Sequence, residues 1–318
     1  MAGTRLRVGI VMDPIGSITP KKDSSLAMLL EAERRDAEIH YFEQHDLKLH
    51  GGDAIGRSQR LHVRDDNAAW YELGEGSEIL LGDLDVILMR KDPPFDMEYV
   101  YTTYILERAR EAGALVVNRP QALRDINEKA CTAWFPECTP VTLITRSTGE
   151  MKKFLKELGH IVVKPLDGMG GRSVFVVKAG DNNANVIFET LTNDGRRFAI
   201  AQAYVPEISR GDKRILLING DAVPCALARI PPADDNRGNL VMGAIGKGQE
   251  LSAADIAICE RVGPVLRERG VIFAGIDVIG DYLTEVNITS PTGIRELDAQ
   301  FGLNIAGRLF DAIEAELG

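Results

Sequence analysis

Histidine is missing from the part of this chain where chemistry is expected. The five histidines are His40, His45, His50, His62 and His160, and none follows the glycine-rich stretch at 168–171. A Ser-His or Cys-His nucleophile in the C-terminal half is thereby excluded. Chemistry there must run on lysine, arginine, carboxylates and metal. Cysteine is scarce too. Cys131, Cys138, Cys225 and Cys259 form no C-x-x-C pair and have no histidine at zinc spacing, so they read as small buried thiols. No apolar run approaches the ~20 residues of a membrane helix, and no signal peptide precedes the first strand, which predicts a cytoplasmic protein. Positive charge is in deficit: 37 Lys and Arg face 47 Asp and Glu, a net charge of −10. That argues against nucleic acid or an anionic membrane as partner. Repeats and low-complexity tracts are also absent. So is G-x-G-x-x-G after the first strand, which argues against a dinucleotide site.

What is present suffices for a large folded protein. The chain has 318 residues, 45% of them hydrophobic, enough for two or three subdomains. Strands are predicted at 5–12, 38–43, 85–90 and 115–117, with helices from Asp23 or Ser24 and over 98–112. This alternation implies a parallel α/β sheet. Residues 50–78 read as a long polar loop or weak hairpin. Beyond about 120 the pattern becomes α+β. A helical stretch runs from Pro120 through Lys129 to Trp134. Strand pairs follow at 161–164 and 174–178, at 213–218 and 223–230 around Asn219-Gly220, and at 271–279 and 283–289. Helices are predicted near 150–158, 183–193, 252–269 and 298–316. The division expected is 1–122 and 123–318, the latter splitting near 203.

Three groups of residues could carry chemistry. The first is the segment from Val162 to Ser173, with Lys164 followed by Gly168, Met169, Gly170 and Gly171. It lies between strands, unlike a Walker A loop, which opens a helix. Glycines allow close backbone approach, so their N–H groups can cradle phosphate. A plain tight turn would use the same glycines. A lysine within an apolar strand, however, needs an anion to justify partial burial. The second group is Asp277, Glu285 and Asn287. If Gly280–Tyr282 is a three-residue loop, Asp277 falls opposite Glu285, and all three side chains share one face. Facing carboxylates repel unless a cation sits between them, and hard oxygens suit Mg²⁺ held together with phosphates. The third group is arginine: Arg214 and Arg229 lie on successive strands of one hairpin, and Arg237 lies in a long polar segment, 231–248, with the character of a lid.

With these residues in place, the sequence resembles the ATP-grasp ligases, and among them the bacterial glutathione synthetases. The resemblance runs nearly end to end. It rests on Gly-Ile-Val-Met-Asp-Pro at 9–14, Lys-Lys-Asp-Ser-Ser at 21–25 and Met-Arg-Lys-Asp-Pro-Pro-Phe-Asp at 89–96. It continues through Asn-Glu-Lys at 127–129, Lys-Pro-Leu-Asp-Gly-Met-Gly-Gly at 164–171, Gly-Asp-Lys-Arg at 211–214 and Arg-Gly-Asn-Leu at 237–240. It ends with Thr-Glu-Val-Asn-Ile-Thr-Ser-Pro-Thr at 284–292.

The resemblance implies an ATP-grasp fold: an N-terminal parallel-sheet domain, then two subdomains holding ATP between antiparallel sheets. It implies that ATP phosphorylates the cysteinyl carboxylate of γ-glutamylcysteine, and that glycine attacks the acyl phosphate. It assigns Asp277, Glu285 and Asn287 to Mg²⁺ (with Mn²⁺ as a possible substitute). Lys129, Lys164 and residues 168–171 go to the ATP phosphates, Asp212 to the ribose, and Ala203, Tyr204 and Val205 to adenine. Arg214 and Arg229 are transition-state or carboxylate arginines. Arg90, Lys91, Arg237, Ser290, Pro291 and Thr292 face substrate. A homotetramer is also implied. Two alternatives compete. A D-alanine–D-alanine ligase-like enzyme would lack the segment at 89–96. A non-catalytic nucleotide-binding protein could dispense with Glu285, Asn287 or Arg214, yet all three are present.

Overall fold

A computed structural model describes residues 5–168, 171–230 and 245–318. Three sheets organise it, of seven, four and five strands.

The first sheet opens with β1 (Arg7–Val11), followed by helix α1 (Ser24–Arg34). Then come β2 (Glu38–Phe42), β3 (Leu47–His50), β4 (Asp53–Val63), β5 (Tyr71–Leu80) and β6 (Val86–Met89). Helix α2 (Met97–Glu111) and β7 (Leu115–Val117) complete it. Both helices start on an aspartate cap: Asp23 accepts from the Leu26 N–H at 2.7 Å and Asp96 from the Tyr99 N–H at 3.0 Å. Strands β2, β1, β6 and β7 are parallel, as expected. The sheet as a whole is mixed, however, because β3, β4 and β5 join it antiparallel. The stretch expected to be a loop or weak hairpin is a long one, β4–β5. Its buried positions include Gly56 and Ser58, which carry no apolar alternation, and so the strand was hard to read. Gly56 has a packing reason. A Cβ there would lie 2.5 Å from the Phe42 ring and 2.8 Å from Leu81.

The helical stretch expected from Pro120 to Trp134 is two pieces, helix α3 (Pro120–Asp125) and a short 3-10 helix at Ala130–Trp134. The Asn127 side chain accepts from the N–H groups of Lys129 and Ala130 at 3.1 and 2.9 Å, which turns the chain there.

The second sheet has the order β10-β9-β11-β8 and is antiparallel throughout. It comprises β8 (Thr142–Thr145), β9 (His160–Pro165), β10 (Phe175–Lys178) and β11 (Ala199–Ala203), with α4 (Thr148–Leu158) and α5 (Ala184–Thr192) interspersed. Met151, Phe154 and Phe188 from the helices pack on Ile161 and Val163 of β9. The third sheet, order β14-β13-β12-β15-β16, holds β12 (Asp212–Ile218), β13 (Asp221–Ile230), β14 (Ile245–Glu250), β15 (Phe273–Ile279) and β16 (Tyr282–Asn287). Helix α6 (Ala253–Glu268) lies between β14 and β15. Asn219 and Gly220, with φ of 49° and 84°, form the expected two-residue turn between β12 and β13. The helix expected over 298–316 is instead two, α7 (Ile294–Phe301) and α8 (Ile305–Leu317). Gly302 ends the first at φ 65°, and Asn304 caps the second.

Candidate active site

The face shared by Asp277 and Glu285 is built differently from the expectation. The β15–β16 turn is two residues, Gly280-Asp281, because Ile279 pairs with Tyr282 and Val278 with Leu283. Continued without interruption, that register would put Asp277 opposite Thr284 and turn Glu285 to the other face. A bulge at Thr284 restores the alignment. Beyond it Asp277 pairs with Glu285 and Gly275 with Asn287. The Thr284 hydroxyl fastens the bulge by donating to the Asp277 carbonyl at 3.1 Å. The residues of the expected pair are therefore neighbours, by a turn and a bulge rather than an odd loop.

Cations surround these carboxylates. Arg214, on β12 opposite Asp277, grips it with Nε and with Nη2 at 2.9 Å. Arg229 Nη2 sits between Asp212 and Asp277, 2.9 Å from the latter. Lys164 Nζ lies 3.2 Å from Glu285 Oε1, and Lys129 Nζ lies 3.7 Å from it. Lys129 also donates to Glu128 and to the Gly168 carbonyl, each at 2.6 Å. All four cations are buried. Lys129 reaches β16 because the Val286 N–H donates to the Glu128 carbonyl at 2.8 Å.

The electrostatics follow from this arrangement. Burial pushes the Asp277 carboxyl up, but Arg214 and Arg229 outweigh it and hold the group well below the usual carboxylate range. Burial likewise opposes Lys129 and Lys164 at Glu285, and the lysines win, lowering it. At Asp212 burial dominates, reinforced by Asp277 and Glu285 and only partly offset by Arg229, and its carboxyl rises to about 6. Four carboxylates (Glu128, Asp212, Asp277 and Glu285) thus balance four cations (Lys129, Lys164, Arg214 and Arg229). A polyphosphate entering such a balanced site needs an accompanying cation. Asp277 and Glu285, held ionised on one face beside the Asn287 amide, fit a hard divalent ion.

These groups line one cavity of about 860 Å³ between the second and third sheets. The structure brings together Lys129, Lys164, Gly168, Gly171, Ala203, Tyr204, Val205, Asp212, Arg214, Arg229, Asp277, Glu285, Asn287, Ser290 and Thr292. Arg90, Lys91 and Pro291 stand back from it. Arg90 is 5% exposed and braces the loop before α7, donating to the Pro291 carbonyl at 2.9 Å and to Ser25 Oγ at 3.0 Å. Lys91 pairs with Asp13 at 2.8 Å. Met169, Gly170 and Arg237 lie outside the described residues, as does most of the expected lid. Sequence reasoning gave no role to Glu128, Val162, Val176 and Gln202, which stand on the wall. Counting by two from Lys164 would have found Val162, and Glu128 stands next to Lys129.

Comparison with known proteins agrees with this geometry. The family model for the prokaryotic glutathione synthetase N-terminal domain matches residues 6–124, and that for the prokaryotic glutathione synthetase ATP-grasp domain matches residues 128–302. The chain is 56% identical over 309 residues to a glutathione synthetase of Vibrio parahaemolyticus, covering 97% of this chain and 98% of that one. It is 55% identical over 312 residues to that of Salmonella typhimurium, covering 98% and 99%. Among solved structures, D-cycloserine synthetase superposes with a TM-score of 0.68 at 14% identity, over 98% of this chain and 100% of that one. D-alanyl-alanine synthetase A from Vibrio cholerae does so with a TM-score of 0.62 at 12% identity, over 99% of each. At such identities these two show the fold alone. The chain belongs to the prokaryotic glutathione synthetase family of ATP-grasp ligases.

Proposed function

We propose that the cavity binds Mg²⁺-ATP and that the chain joins γ-glutamylcysteine to glycine, releasing glutathione, ADP and phosphate. The observation that carries this reading is the meeting of Lys129 and Lys164, from one side, with Asp277, Glu285 and Asn287, from the other, in one cavity of a chain of this family.

Asp277, Glu285 and Asn287 would hold the metal, and Mn²⁺ fits the same donors. When bound, the metal supplies charge neutralisation at the phosphate oxygens. Lys129, Lys164 and the backbone of residues 168–171 hold the phosphates. Asp212 takes the ribose, and the backbone of Ala203–Val205 takes the base. The cysteinyl carboxylate oxygen attacks the terminal phosphorus, and the bond to ADP breaks. The glycine nitrogen then attacks the acyl carbon. A C–N bond forms, the C–O bond to phosphate breaks, and the amine proton leaves to phosphate or solvent. Arg214 and Arg229 stabilise the negative charge that builds in both steps, already fixed there by Asp277. Ser290 and Thr292 face the peptide and glycine, with Arg90 and Pro291 holding that loop in place, while Lys91, paired with Asp13, stands outside the cavity.

Three further assignments belong to the same reading. The chain divides at about 122, it works as a homo-oligomer (a homotetramer by family likeness), and it resides in the cytoplasm. No described helix is long and apolar enough to cross a membrane. The test is ADP release with γ-glutamylcysteine and glycine each omitted in turn. Release that needs both substrates supports the ligation. Equal release with D-alanine alone would overturn it in favour of a D-alanine ligase.

A further inference from the structure

His160 is the one histidine near the cavity, and the mechanism above gives it no task. It opens β9, and the period of two places it on the same strand face as Val162 and Lys164. Val162 and Lys164 line the cavity. His160 therefore lies about 13 Å along the strand from the phosphate lysine. That places it toward the end where the base of a nucleotide would sit if its phosphates lay at Lys164. The imidazole stacks on the ring of Tyr204, with ring centroids 3.8 Å apart and planes 19° from parallel. The two residues are also joined through the main chain, the Tyr204 N–H donating to the His160 carbonyl at 3.1 Å. Tyr204 lines the cavity, and His160 does not. His160 Nε2 is buried and finds no hydrogen-bond partner among the described residues. The ring thus meets Tyr204 through its face, and its Nε2 plays no part in that contact.

We infer that His160 is a positioning residue for the nucleotide base: it backs Tyr204 and fixes the wall against which the base packs. This rests on the reading that ATP occupies the cavity. Stacked aromatic pairs contribute enough that removing the imidazole should weaken base binding roughly three- to tenfold. Groups that hold the phosphates should be untouched.

The experiment is equilibrium titration of the full chain with Mg²⁺-ATP and, separately, with Mg²⁺-tripolyphosphate, which has no base. His160→Ala should bind ATP roughly three- to tenfold more weakly, with tripolyphosphate affinity unchanged. His160→Phe, which keeps a stacking face, should recover most of the lost ATP affinity. The double variant His160→Ala/Tyr204→Leu should bind ATP no more weakly than Tyr204→Leu alone, because the imidazole acts through Tyr204. Unchanged ATP affinity in His160→Ala would overturn the inference while leaving ATP binding intact. An equal loss for both ligands would overturn it as well, since it would mean general damage to the pocket. A wild-type chain that does not bind ATP would instead sink the reading of the cavity itself. Should His160→Ala fail to fold, the comparison of His160→Phe and His160→Leu decides on the same terms.

Discussion

Gly275 shows how much the site asks of a single residue. It lies on β15 opposite Asn287, and an added Cβ would sit 2.8 Å from Arg214 Cδ and 2.9 Å from Pro291 Cβ. The side chain of Arg214 is the softer of the two neighbours, so Gly275→Ala should push the guanidinium off Asp277. Misplacement on that scale is expected to lower turnover by about 10- to 100-fold. ATP affinity should change far less, because Lys129 and Lys164, proposed to hold the phosphates, lie on other elements, before a short helical turn and on β9. Steady-state kinetics alongside nucleotide titration checks this, and wild-type turnover would show that the position of Arg214 is not critical.

At the scale of elements, the bulge in β16 is the feature that sets Glu285 opposite Asp277. Inserting one alanine between Thr284 and Glu285 should leave the sheet but shift the rest of β16 by one place, turning Glu285 away from Asp277. The expected result is a folded protein, with wild-type circular dichroism, that releases no measurable ADP. Retained activity would mean that the strand absorbs the extra residue within the bulge. A second element-scale device joins α1 to α8. Glu31 accepts from Arg34 at 2.6 and 2.8 Å, from Arg35 at 2.7 Å and from Asn304 at 3.3 Å. Arg35 in turn reaches Asp311 at 2.6 Å and Glu314 at 2.8 Å. The hydrogen bond from Arg34 leads the set that, against burial, lowers the Glu31 carboxyl to about 2. A depressed carboxyl stabilises the fold above its ordinary range and loses that contribution as pH falls toward 2. Glu31→Gln should therefore cost about 1–3 kcal/mol at neutral pH. The gap to wild type should close as pH drops through about 4 toward 2. Urea unfolding at a series of pH values measures it, and a gap independent of pH would contradict the assignment.

At the scale of the whole molecule, one buried side chain ties the first sheet to the third. Asn118, just past β7, donates to the carbonyls of Phe273 and Ile288, each at 2.7 Å. It accepts from the N–H groups of Ile272 and Phe273 at 2.8 and 2.9 Å. All its capacity is used, and it is 3% exposed. Asn118→Ala would strand these groups in the interior and should destabilise the protein by on the order of 3–5 kcal/mol. A loss below about 1 kcal/mol in urea unfolding would show that water or neighbouring groups replace the amide.

The sequence by itself determined the local chemistry. Lys164 and its glycine loop, the β-turn at Asn219-Gly220, the aspartate cap before α1 and the alternation of Asp277, Glu285 and Asn287 all rest on interactions within a few residues, and local interactions leave periodic marks. Only the tertiary structure decided the rest. The mixed character of the first sheet turns on small and polar residues of β4 that meet Phe42 and Leu81 across space. The alignment of Asp277 with Glu285 turns on one extra residue at Thr284, which composition does not distinguish from a longer turn. The charge balance, with Asp277 held by Arg214 and Arg229 and Glu285 by Lys129 and Lys164, joins groups up to 156 positions apart. So does the stack of His160 on Tyr204, 44 positions apart. Such pairings leave no periodic mark, because strand register and the packing of one sheet against another set them, and no single segment contains them.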